Sequence, residues 1–234
     1  MLRAAALALL SSAAPALADC RLALLLALDV SSSVDAQEDT LQRQGLAAAL
    51  VAPEVQAAFF AADAVVALAV FEWSGRYNQE IILDWTMIDS PEALRRASAA
   101  VAGSRRSYNE FPTAMGYALG FGAGMLGRGP ACLRSTIDMA GDGENNEGFG
   151  PALAYAEFPF DEITVNGLVV ANAADFQTEA TLTNFYAREV LHGPGAFLIV
   201  ADGFEDYARA MREKLVREVA PAAVGALGRP GDAG

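Results

Sequence analysis

The run Arg21 to Asp29 (RLALLLALD) constrains the fold more than any other segment, because it is apolar almost throughout and stops abruptly at a polar loop. A strand with one wet face alternates apolar and polar side chains, whereas one without alternation must be covered on both faces, as in the centre of a parallel sheet. Asp35-x-x-Glu38 then opens a helix over Asp35 to about Val51, with Leu41, Gly45, Ala48 and Ala49 on one face. A strand followed by a helix is the first half of a crossover unit. Val65 to Trp73 and Glu80 to Trp85 are further strands, and the short Ser74-Gly75 link between them suits an antiparallel hairpin. Helical patterns follow at Pro91 to Val101 and from Pro112 to about Leu126, each with proline in its first turn. Leu133 to Ala140, Ile163 to Val170 and Ala196 to Ala201 read as strands, and the stretches around Thr178 to Val190 and Phe204 to Val219 as helices. The pattern predicts a doubly wound α/β fold: a mostly parallel open sheet of about six strands, one antiparallel edge strand, and helices on both faces. Gly116, Gly120 and Gly124 form a smooth stripe that should let the helix after Pro112 lie close against the sheet.

The chain has 234 residues and 53% hydrophobic content, enough for one substantial core, which we place at 19–219. Before it, Arg3, an Ala-rich apolar run and Ala16-Leu17-Ala18 have the form of a signal peptide over residues 1–18, too short to span a bilayer. Export to the periplasm or the medium is therefore expected. Lipoprotein anchoring at Cys20 is disfavoured by the charged Asp19 before it. Residues 220–234, rich in Gly, Pro and Ala, read as a flexible tail. A formal charge of −13 argues against a nucleic-acid partner, since no basic patch offsets phosphate repulsion. No segment has the length of a transmembrane helix.

Where the first strand ends, Asp29-Val30-Ser31-Ser32-Ser33 gathers a carboxylate and hydroxyls at the position where ligand sites form in doubly wound sheets. Such hard oxygen donors suit Mg²⁺, with Ca²⁺ or Mn²⁺ as alternatives, better than zinc or copper. Thr113 before a helix and Asp142 after a strand are two more oxygen donors at points the fold can return to this loop. Together, Asp29, Ser31, Ser33, Thr113 and Asp142 resemble, in order and spacing, the metal-ion-dependent adhesion site of von Willebrand factor A domains. The likeness covers roughly residues 20 to 219, and the segments Asp138 to Asn146 and Gly193 to Phe197 are similar to those of a bacterial group of exported A-like proteins. The resemblance implies that Ser31 and Ser33 hold the ion directly, Thr113 directly or through water, and Asp29 and Asp142 mainly through waters. It implies an open position for an Asp or Glu of a protein partner, and no catalysis. Ser32, Glu144, Asn145 and Asn146 are candidates for the rim of that site, or else simple turn formers.

The strand order of A domains also implies that Cys20, nine residues before Asp29, and Cys132, ten before Asp142, meet in a disulfide at the face opposite the metal. The alternative is two free buried thiols. His192 is the only histidine, placed in a loop away from the proposed site, so metal or triad chemistry based on histidine has little to build on. A metal-assisted hydrolase using the same residues is the competing functional reading. Its phosphatase form would want a second acid near position 31 and a balancing lysine, whereas the sequence offers Ser31 and a single lysine, Lys214.

Overall fold

The computed structural model describes residues 20–171 and 179–221. The proposed signal peptide at 1–18 and most of the proposed tail lie outside them. Six strands form one sheet: β1 (Cys20–Asp29), β2 (Val65–Ser74), β3 (Asn78–Ile88), β4 (Ser135–Gly141), β5 (Ile163–Ala171) and β6 (Leu198–Asp202). Their order is β3-β2-β1-β4-β5-β6, with every neighbouring pair parallel except the β2–β3 hairpin at one edge. The expected architecture is the observed one. β1 is central and buried along its whole length, which is why its sequence does not alternate.

Its two faces nevertheless serve different layers. Leu22, Leu24, Leu26 and Leu28 pack with α1 (Ala36–Leu50), α2 (Pro53–Phe59), α3 (Pro91–Gly103) and α7 (Tyr207–Val219), while Leu25 and Ala27 pack with α4 (Met115–Gly127), α5 (Pro151–Glu157) and the α6 (Glu179–Phe185) segment. The period of two in Cβ direction thus sorts one apolar run into two cores. α1 begins with the reciprocal cap read from the sequence: Asp35 accepts from the amides of Gln37 and Glu38, and Glu38 accepts from the Asp35 amide.

Besides the short helices α2 and α5, which the sequence reading did not contain, three features depart from it. α4 starts at Met115 and not at Pro112, because Phe111 to Ala114 is drawn out as a loop held by distant groups. The glycine stripe on that helix does not face the sheet. A Cβ on Gly116 would stand 2.5 Å from the ring of Phe149 and one on Gly120 2.7 Å from the ring of Phe158, whereas Gly122, outside the stripe, faces Ile137 and Leu25. The stripe therefore admits aromatic rings from the segment around α5. Finally, α6 continues into a π-helical turn over Tyr186–Val190 that buries Tyr186 beneath the carboxyl ends of the strands.

Cys20 and Cys132 form a disulfide, with their Cα atoms 4.6 Å apart. It joins the start of β1 to the segment leading into β4, where Leu133 donates its amide to the Cys20 carbonyl. His192 lies toward the amino end of β5, bridged to Val165 and stacked on Tyr155. Among the described residues no helix is long and apolar enough to cross a membrane.

Candidate metal centre

Parallel register brings the loops together. Leu28 pairs with Ala140, so Asp29 and Gly141 stand side by side at the carboxyl ends of adjacent strands, and the loops that follow them share one rim. The third loop, before α4, is stitched to both. Ser32 donates its amide to the Phe111 carbonyl, Gly75 to the Pro112 carbonyl, and Asn146 and Glu147 to the Thr113 carbonyl.

These contacts gather all five expected residues. Thr113 Oγ1 lies 3.2 Å from Ser31 Oγ, Ser31 Oγ lies 3.2 Å from Ser33 Oγ, and Ser33 Oγ donates to Asp142 Oδ1 at 2.8 Å. Asp29 Oδ1 accepts from the Ser31 amide at 2.7 Å, which sets the tight turn of the loop. Its other oxygen, Oδ2, is buried with no hydrogen-bond partner. Asp29, Ser31, Thr113 and Asp142 are buried, while Ser33 is exposed and opens the cluster to solvent.

Burial and, after it, the Asp142 carboxylate push the Asp29 carboxyl up to about 8, against the hydrogen bonds from Ser31 and the positive charge of Arg106. Two carboxylates in one desolvated pocket call for a compensating charge. The fit to a small hard cation is good. Octahedral coordination at Mg²⁺ distances separates neighbouring oxygens by about 2.9 Å, and the observed separations run from 2.8 to 3.2 Å. Among the described residues no three His, Cys, Asp or Glu side chains cluster as metal ligands. A centre of two carboxylates and three hydroxyls is built from a different donor set.

The rim candidates divide. Asn145 Oδ1 accepts from the Met115 amide at 2.8 Å and Asn146 Oδ1 from the Thr113 amide at 2.9 Å, so both side chains serve as caps for the start of α4. Glu144 stands half-buried on the loop after Asp142. Ser32 is exposed and lines a cleft of about 450 Å³ together with Val34, Arg106, Tyr108 and Asn109.

Several supporting residues carried no signal in the sequence. The Arg106 guanidinium donates to the carbonyls of Val30, Ser31 and Val34 at 2.6 to 2.8 Å, clamping the serine loop from below. Gln42 donates to the Asp29 carbonyl at 2.9 Å. Glu72 is shared between the Arg43 guanidinium and the Ser107 amide, which fixes the segment that carries Arg106. Tyr186 is the least expected: a Cβ on Gly141 would lie 2.7 Å from its hydroxyl and 2.8 Å from Asp29 Oδ2, so the phenol sits directly behind the cluster. Only the absence of a side chain at Gly141 permits that approach.

Sheet order and connectivity define a von Willebrand factor A-like fold. Solved structures agree on the fold. Proximal thread matrix protein 1 from the mussel byssus, in the form with a zinc-occupied MIDAS motif, is 15% identical with a TM-score of 0.58, covering 87% of this chain and 48% of its own. A von Willebrand factor type A protein from Catenulispora acidiphila is 16% identical with a TM-score of 0.57, covering 86% of this chain and 43% of its own. The conserved hypothetical protein BatB from Bacteroides thetaiotaomicron is 17% identical with a TM-score of 0.57, covering 85% of this chain and 98% of its own. The chain thus spans about half the length of the mussel protein. The family model of DUF1194, a protein family of unknown function, matches residues 19–223, and the chain belongs to that family. No curated protein matches.

Proposed function

We propose that this protein is an exported binding module that holds a divalent cation, Mg²⁺ in the first place, at Asp29, Ser31, Ser33, Thr113 and Asp142, and through it captures an Asp or Glu of a protein partner. The observation that carries this reading is the convergence of three separate loops on one set of oxygens, with a buried carboxylate oxygen of Asp29 left without a hydrogen-bond partner. Ser31, Ser33 and Thr113 are the donors suited to direct contact with the ion. Asp29 and Asp142 orient the hydroxyls and supply charge from behind. A bound cation with so few anionic ligands supplies an electrophilic open position for a carboxylate and reverses the local sign of the field of an acidic protein. Ser33, exposed at the mouth, marks the side from which a partner enters.

Binding is favoured over hydrolysis by where the remaining chemistry lies. The lysine that a phosphatase would place beside its aspartate is Lys214, which is fully buried in the α7 layer against Asp138 and Glu218. The zinc-occupied MIDAS named for the mussel protein supports a cation site on this fold. Export is supported by the Cys20–Cys132 bridge, since disulfides persist in oxidising compartments.

Pull-down from periplasmic extract with immobilised protein tests the reading. Enrichment of partners with Mg²⁺ that is lost in EDTA and in the Ser31→Ala/Ser33→Ala variant is expected. Enrichment that ignores both the ion and the variant contradicts it, and so does phosphate or peptide hydrolysis abolished by Asp29→Ala.

A further inference from the structure

The single lysine of the chain is in an unusual place. Lys214, on α7, is completely buried; its Nζ lies 2.6 Å from Glu218 Oε1 and 2.9 Å from Asp138 Oδ1, and neither carboxylate side chain is more than 1% exposed. Glu218 Oε1 also accepts from Asn166 Nδ2 at 2.9 Å, and Asn166 Oδ1 accepts from the Phe197 amide. The Phe197 ring covers the amine at 4.7 Å.

A buried ion pair persists when hydrogen bonds satisfy its remaining oxygens. Here they do not. The approach of Lys214 to Asp138 falls outside hydrogen-bonding geometry, and Asp138 Oδ1, Asp138 Oδ2 and Glu218 Oε2 are all buried without a hydrogen-bond partner. One ammonium against two carboxylates also leaves a net negative charge in an apolar layer. Burial and the neighbouring Glu218 carboxylate, opposed by Lys214, push the Asp138 carboxyl up to about 7, so that the neutral acid is populated beside the amine. An amine held against a protonated carboxyl, with a second carboxylate within proton-transfer distance of the nitrogen, is the constellation for amide formation.

We propose that Lys214 and Asp138 are joined by an intramolecular isopeptide bond, formed autocatalytically with Glu218 as the proton carrier. Lys214 passes a proton to Glu218, and the neutral amine attacks Cγ of the protonated Asp138. Glu218 then hands that proton to the departing hydroxyl and takes up the excess proton on nitrogen, so that it ends protonated. One N–C bond forms, one C–O bond breaks, one water leaves, and no oxidant or reductant is needed. A cleft of about 250 Å³ lined by Thr136, Asn166, Phe197 and Glu218 gives that water a way out. The bond ties α7 to β4 as the disulfide ties the start of β1 to the approach to β4, which suits a protein that works outside the cell.

Peptide mapping of the reduced, alkylated full chain after trypsin tests this directly, because trypsin does not cut after an acylated lysine. The expected product is the segment 135–188 joined to the segment 213–217, lighter by one water than their sum. Asp138→Ala and Glu218→Gln should restore cleavage after Lys214, whereas Asp138→Asn should still cross-link, losing ammonia instead of water. Cleavage after Lys214 in the folded wild-type protein overturns the proposal. A deficit of one water carried on the linear segment 135–188, as from a succinimide at Asp142-Gly143, overturns it as well. A cross-link that survives in Glu218→Gln overturns the role assigned to that residue.

Discussion

The Cys20–Cys132 bridge closes a loop of 112 residues in sequence separation, and the size of its effect follows from where it sits. β1 and β4 are already paired from Ala23 with Ser135 onward, so in the native state the sheet holds the two cysteines together without help. The bridge therefore acts mainly on the unfolded chain. A loop of this length removes roughly 16 cal/mol/K of chain entropy, or about 5 kcal/mol at 25 °C. Cys20→Ala/Cys132→Ala should lose that amount. With a urea slope of about 2 kcal/mol/M, the midpoint should fall by roughly 2 to 3 M. Unfolding followed by the fluorescence of Trp73, which is buried, and Trp85 gives both midpoint and slope. The slope should increase, because the unbridged chain exposes more surface when unfolded. A loss under about 1 kcal/mol with an unchanged slope, in protein whose wild-type bridge is verified by mass, would refute the reasoning.

Three other outcomes are expected. Arg106→Ala, which removes three hydrogen bonds to the carbonyls of the serine loop, should cost about 2 to 3 kcal/mol in urea unfolding and weaken Mg²⁺ binding in calorimetry; full affinity in the variant would show that the loop does not need its clamp. Gly141→Ala drives a Cβ into Tyr186 and Asp29 and should destabilise by about 1 to 3 kcal/mol; adding Tyr186→Phe should recover part of that in a double-mutant cycle, and strict additivity would sink the assignment. In EDTA, Asp29 takes up a proton in the folded state that it does not hold when unfolded, since its carboxyl stands at about 8 against an ordinary 3.8. Metal-free stability should therefore fall as pH rises from about 4 to 8 and level off above. Asp29→Asn should flatten that slope, and Mg²⁺ should bind more tightly as the pH approaches 8; a slope that persists in Asp29→Asn would assign it elsewhere.

The fold was legible because its main signals are local. Unbroken apolar runs mark strands buried on both faces, Asp35-x-x-Glu38 and Pro91 mark helix starts, and β1, α1 and α3 lie within a few residues of where those signals place them. Pro112 misled because a proline in a loop before a helix looks like a proline at its first turn. What decides the start of α4 is a pair of amide side chains, Asn145 and Asn146, some thirty residues later in the chain. The five candidate site residues were legible through their order, and the structure brings them to one rim. The residues that hold them were not: Arg106 sits in an irregular loop, Tyr186 in a helical stretch, and neither differs in the sequence from an ordinary surface arginine or core tyrosine. Their roles arise only when distant segments meet. The glycine stripe on α4 failed for the same reason, since periodicity reports that one helix face is smooth but not what packs against it.

Whether the three loops share one cation can be seen most directly by anomalous diffraction from crystals soaked in Mn²⁺. A single strong peak within about 2.5 Å of Ser31 Oγ and Ser33 Oγ, absent from crystals of the Ser31→Ala/Ser33→Ala variant, is the expected result. A peak elsewhere, or none at millimolar Mn²⁺ in crystals whose serine loop is open to solvent, contradicts the account.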